Sequence, residues 1–136
     1  MGWEVVFHDA FVHEFRAMDA EQKVALLAAV TALKAVGPGA QRPLVGVLKS
    51  DKHANLKELR YHAHGKSQVW RAAFAFDPLR RAIILAAGAK QGKDEGRFYR
   101  SLLAKATKRL DDHLKELCPR DEGIESPTQA AGRSRK

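Results

Sequence analysis

The sequence holds one cysteine, Cys118, in 136 residues, so no disulfide can form within the chain. Its six histidines are scattered, and no His/Cys group has zinc-site spacing. Neither a metal nor any other cofactor is expected. There is no run of about 18 apolar residues, which argues against a membrane-spanning helix. The opening Met1-Gly2-Trp3-Glu4-Val5 lacks the basic region and apolar stretch of a secretory signal, so a cytoplasmic location is expected. No internal repeat is visible. At 136 residues and 45% hydrophobic, the chain suits one compact domain and is short of two.

Positive charge, by contrast, is plentiful and unevenly placed. The net charge is +8, yet residues 1–55 carry six basic and six acidic side chains. Residues 56–109 carry thirteen basic groups against Glu58, Asp77, Asp94 and Glu95, a net of +9. Residues 110–136 net −1. The excess therefore lies in one segment. A polyanion partner would explain it, since each neutralised phosphate releases condensed counterions. A solvated surface that keeps the protein soluble would explain it equally well.

Trp3 to Phe7 is short and rich in β-branched and aromatic residues, which predicts an opening strand. Asp9 is placed to cap a short helix with Phe11, Phe15 and Met18 on one face. Asp19 and Gln22 stand in capping-box spacing before a second helix, which Gly37-Pro38-Gly39 stops. Residues 37–55 read as a long irregular loop around one apolar patch, Leu44 to Leu48. Strands are predicted at Leu56–Tyr61, Ser67–Phe76 and Ala82–Ala87, joined by turns at His64-Gly65-Lys66 and Asp77–Arg80. Asp94 or Glu95 opens a long helix with Phe98, Leu102, Leu103, Ala106, Leu110, Leu114 and Leu117 as its stripe, and Pro119 ends it. From Arg120 on, the sequence is polar and aperiodic, so 1–117 reads as the domain and 118–136 as a disordered tail. The expected class is α+β, ordered β-α-α-β-β-β-α, with a small mostly antiparallel sheet, helices on one face and the other face open.

Side chains alternate across a strand. Trp70, Ala72, Phe74 and Phe76 form the core face of the middle strand, which leaves Arg71 on the open face among small residues. If Leu59 belongs to the core, Glu58 and Arg60 stand beside Arg71. Lys57 shares the face of Leu59 but lies near a strand end, where it can turn to water. Lys90 and Lys93 fall at a flexible strand-to-helix junction. His62 and His64 fall at the turn, where a solvent-exposed role is the more common one. Tyr99 could stack on a base or pack beside Phe98.

Several runs, taken in order, resemble one family. Asn55-Leu56-Lys57-Glu58-Leu59-Arg60 is similar to a signature of the Gp49-like RelE/HigB toxins. So are Arg71 with Phe74-Ala75-Phe76-Asp77-Pro78, Gly88-Ala89-Lys90 with Phe98-Tyr99, and Asp112-His113-Leu114. Arg42-Pro43-Leu44-Val45 also fits the family's loop, and the likeness covers roughly residues 3–117. The resemblance implies a microbial RNase (RelE-like) fold and a toxin that cleaves mRNA on the ribosome. It also implies neutralisation by a cognate helix-turn-helix antitoxin. One departure is Ala89, where relatives commonly carry an acid before the lysine.

Metal-free RNA cleavage needs the 2′-hydroxyl to attack the neighbouring phosphate, with a base, cations for the phosphorane and an acid for the leaving oxygen. Arg60 and Arg71 suit the phosphate, since a guanidinium can fork onto two oxygens. Glu58 is either the base or the partner that positions the arginines. The candidate catalytic set is Lys57, Glu58, Arg60, Arg71 and Lys90, and the candidate RNA-binding set Lys66, Lys93, Arg97 and Tyr99. A ParE-like gyrase inhibitor, or a non-catalytic RNA- or antitoxin-binding module, stays open on the same fold.

Overall fold

The computed structural model describes residues 3–90 and 94–117. The tail expected at 118–136 lies outside the described residues, as does Lys93. The elements are β1 (Glu4–Phe7), α1 (Asp9–Arg16), α2 (Ala20–Val36), β2 (Val45–Val47), β3 (Lys57–Ala63), β4 (Gln68–Phe76), β5 (Arg81–Ala89) and α3 (Glu95–Leu117). The strands form one sheet in the order β1-β5-β4-β3-β2. Among the described strands the β1–β5 pair is parallel, and the β2–β3, β3–β4 and β4–β5 pairs are antiparallel. The α+β class and the expected strand meander are both present. One addition is β2, a three-residue edge strand inside the segment expected to be irregular, with Gly46 opposite Glu58.

Two local expectations are settled by hydrogen bonds. The Asp19 side chain accepts from the backbone of Gln22, and the Gln22 side chain accepts from that of Asp19, closing the capping box that starts α2. At α1 the cap is His8 rather than Asp9: His8 Nδ1 accepts from Ala10 N at 3.1 Å, and Asp9 is already helical. An imidazole nitrogen can fill the acceptor role that carboxylates and hydroxyls usually fill.

The helices do not lie on one face. Phe11 of α1 and Leu26, Val30 and Leu33 of α2 pack on Leu59, Tyr61, Trp70, Ala72, Phe74 and Ile84. Phe98, Leu102, Ala106 and Leu110 of α3 pack on Ala73, Ala75, Ile83, Leu85 and Ala86, on the opposite side of β4. The small residues beside Arg71 thus serve a second purpose, as the seat of a helix. Among the described residues, α3 thus covers much of the face expected to be open.

A bulge interrupts β5 where it pairs with β4. Ala73 pairs with Ala86 and Phe74 with Ile84, so Leu85 has no partner of its own on β4. Arg109 of α3 donates to the Leu85 carbonyl at 2.8 Å, and its other bonds go to Glu14 of α1. One arginine therefore satisfies the bulge and ties α1 to α3. Asp77, buried in the β4–β5 turn, accepts from Leu79 N, Arg81 N, the Arg81 guanidinium and His113 Nε2. His113 ties the C-terminal part of α3 to that turn.

Candidate functional site

Where α3 begins, four side chains from three elements meet. Glu58 and Arg60 come from β3, Arg71 from β4 and Tyr99 from the first turns of α3. Arg60 and Arg71 are direct partners in the β3–β4 ladder. Like charges in that relation repel, and Glu58 offsets the repulsion. Its Oε2 accepts from Arg60 Nε at 2.9 Å and Nη2 at 2.7 Å. Its Oε1 accepts from the Tyr99 hydroxyl at 2.8 Å and lies 3.8 Å from Arg71 Nε. Glu58 is only 3% exposed, so both of its oxygens are held inside the protein.

Arg71 is the least satisfied member. Its Nη1 donates to the Trp70 carbonyl at 3.0 Å, which leaves Nε buried with no hydrogen-bond partner among the described residues. A charged donor left so is costly unless a further acceptor arrives. Burial raises the Tyr99 phenol above its ordinary range, and the bond to Glu58 raises it further while Arg71 works the other way. Tyr99 therefore keeps its proton at neutral pH.

Two glycines make the room. A Cβ at Gly46 would stand 3.1 Å from both Arg60 Nη2 and Glu58 Oε2. A Cβ at Gly88, the ladder partner of Arg71, would stand 3.1 Å from the Phe98 ring. Gly46 did not emerge from the sequence reading. The available signal was a glycine between two valines, which in a strand marks a close approach.

The other sequence candidates divide. Lys90 closes the cluster: its Nζ lies 5.8 Å from the Tyr99 ring centroid and 3.5 Å from Glu95 Oε2. Arg97 is exposed on the outer flank of α3. Lys57 falls by alternation on the α1/α2 face, away from Glu58, and Lys66 is exposed in the β3–β4 turn; neither joins the cluster. His64 bonds Asp19 Oδ2 at 2.8 Å at the start of α2, so it braces a helix. His62 is exposed and stands apart from the four. Among the described residues no group of His, Cys, Asp and Glu could hold a metal, and no helix is long and apolar enough to cross a membrane.

A five-stranded, mostly antiparallel sheet with helices on both faces, carrying a carboxylate-braced pair of arginines at one helix end, is a RelE/HigB-type α+β fold. The chain belongs to the phage-derived Gp49-like protein family, whose model matches residues 13–111. It is 39% identical over 97 residues to a protein named as the toxin HigB2 of Mycobacterium tuberculosis H37Rv, covering 71% of this chain and 47% of that one. The match thus spans about half the length of that relative. A second protein of the same organism, named as the toxin HigB3, is 34% identical over 100 residues, covering 74% of this chain and 83% of its own. The fold is shared with a solved double mutant of the Escherichia coli toxin RelE in the free state. That match has a TM-score of 0.55 and 12% identity, over 80% of this chain and 98% of the other.

Proposed function

We propose that this chain is the toxin of a toxin–antitoxin pair, an endoribonuclease that cleaves mRNA on the ribosome. The names of the two mycobacterial relatives support the toxin role. The observation that carries the nuclease reading is the Arg71 guanidinium, held directly opposite Arg60 and engaged by Glu58 only as an ion pair at 3.8 Å. A scissile phosphate supplies the close acceptors that Glu58 does not give it. Two guanidiniums on one phosphorane stabilise charge that develops only in the transition state, where preorganised donors matter most.

Glu58 acts as the positioning residue in this scheme. Both of its oxygens are engaged, and it has little contact with solvent. Tyr99 and Lys90 are the neighbouring groups that carry a proton to give to the leaving 5′-oxygen. The attacking 2′-hydroxyl belongs to the RNA itself. As its oxygen bonds phosphorus, its proton passes to a non-bridging oxygen of the same phosphate, and the P–O5′ bond breaks to leave a 2′,3′-cyclic phosphate. The proton then returns to the group that protonated the 5′-oxygen, so the scheme calls for no metal. A cognate antitoxin, in this reading a helix-turn-helix protein, would cover the basic surface.

The test is induced expression in a bacterial host with and without the neighbouring reading frame. Translation arrest with shortened transcripts, relieved by a co-purifying neighbour, is the expected result. Intact mRNA together with double-strand DNA breaks would overturn the nuclease reading in favour of a gyrase inhibitor.

A further inference from the structure

We infer that the cleft between the free edge of β5 and the outer flank of α3 holds the nucleotide adjacent to the scissile phosphate. This rests on the ribonuclease reading above and extends it to a second, separate subsite. The cleft has a volume of about 530 Å³, within the range of small-ligand sites. Its floor is Ala87 to Ala89, and its wall is Arg97, Phe98, Ser101 and Lys105.

The cleft exists because β1 is short. Pairing between β1 and β5 stops at Phe7 and Ile84, while β5 continues to Ala89. Beyond Ile84 no strand among the described residues pairs with the β1 side of β5. Arg109 takes the Leu85 carbonyl, and Gly88 turns its backbone groups toward its ladder partner Arg71. The backbone N–H and C=O of Ala87 therefore face outward, because ladder direction alternates along an antiparallel strand. A donor and an acceptor so placed can meet the edge of an unpaired base, which is how single-stranded RNA is read.

The wall suits the backbone of the same nucleotide. Arg97, Ser101 and Lys105 follow one another at four-residue spacing along one side of α3. The Arg97 guanidinium has no carboxylate partner among the described residues, and Lys105 shares Glu14 with Arg109. Asp94 is the one acid on the wall, and its Oδ1 already accepts from Arg97 N at 3.1 Å. Neighbouring strands lie about 4.8 Å apart. The cleft opens one strand beyond Arg71, with Phe98 over Gly88 between them, so a chain held at Arg71 reaches it with its next nucleotide.

The experiment uses ribosomes programmed with a defined mRNA, mapping cleavage positions and rates for the wild type, Arg97→Ala and Ser101→Trp. Both residues are exposed, and thermal melts establish that the variants fold. Arg97→Ala should slow cleavage about tenfold, the effect of one lost phosphate contact. Ser101→Trp, which fills the cleft, should slow it further and change the preferred positions. Wild-type cleavage with both variants acting at the same positions and rates would overturn the subsite while leaving the nuclease reading intact. That outcome would also be found if the strand edge received a protein segment instead of RNA. No cleavage by the wild type would overturn the nuclease reading, and the subsite with it.

Discussion

Arg60 and Arg71 face one another directly across β3 and β4, and a single carboxylate, Glu58, holds both guanidiniums. The two are not equivalent. Arg60 has two hydrogen bonds to Glu58, whereas the Arg71 contact to it is an ion pair at 3.8 Å. Arg60 is thus fixed by Glu58, and Arg71 is held by it less closely.

Arg71→Ala should abolish cleavage and growth arrest while leaving the fold intact. Removing one such transition-state donor costs about 10²–10³ in rate. Glu58 keeps Arg60 and Tyr99, so stability should change by no more than about 1 kcal/mol. Arg71→Lys should restore little, because a point charge cannot fork. Melts and a growth assay on antitoxin-protected protein check this. A folded Arg71→Ala protein that arrests growth at wild-type dose would rule out the site.

Gly46→Val should act on the same cluster from outside it. Its side chain would enter the space of the Arg60 guanidinium and the Glu58 carboxylate, each 3.1 Å from a Cβ there. Because β2 is a three-residue edge strand, the fold should survive. Activity should fall at least tenfold with a melting temperature close to wild type. Full activity in this variant would show that the Glu58–Arg60 geometry is not needed.

Trp70→Ala should unfold or severely weaken the protein. Trp70 stacks on Tyr61 with ring centroids 6.0 Å apart and donates its indole N–H to Gln68 at 3.1 Å. A large-to-small change at such a site costs about 3–5 kcal/mol. Denaturant titration measures it, and a loss below about 1 kcal/mol would contradict the packing described.

Asp77 should govern the acid limb of stability. Burial alone would raise its pKa, but bonds from His113, Arg81 and the backbone outweigh burial and hold it below the usual value of 3.8. A depressed carboxylate contributes stability above its unfolded pKa and loses it as pH falls through the folded pKa. Wild type should therefore lose stability below about pH 4, and Asp77→Asn should lose that dependence along with much of its stability at neutral pH. Melts from pH 2 to 7 test it; parallel curves for the two proteins would refute it.

His64 should show the opposite sign. Its bond to Asp19 raises its pKa above 6.5. That contribution is complete below 6.5 and is lost as pH rises through the raised value. Relative to His64→Gln, wild type should lose its advantage across that window. An advantage that persists unchanged to pH 9 would place the effect elsewhere.

Much of this molecule was legible in the sequence because the signals were local. The Asp19–Gln22 box, the glycines after α2, the turn at Asp77 and the helical stripe from Phe98 each need only a few neighbouring residues to act. Strand alternation likewise assigned Glu58, Arg60 and Arg71 to one face, since a period of two follows from backbone geometry alone. Tertiary structure decided the rest. Whether Ala73 and Ala75 face solvent or a helix depends on where α3 returns, 20 and more residues later in the chain. A bulge at Leu85 has no sequence mark in an unbroken apolar run, because register is settled only when β5 pairs with β4. Gly46 matters only because β2 docks beside β3, and Tyr99 joins the cluster only because α3 starts above Glu58. Alternation fixes the side of a sheet on which a residue stands, and packing between distant segments fixes what it meets there.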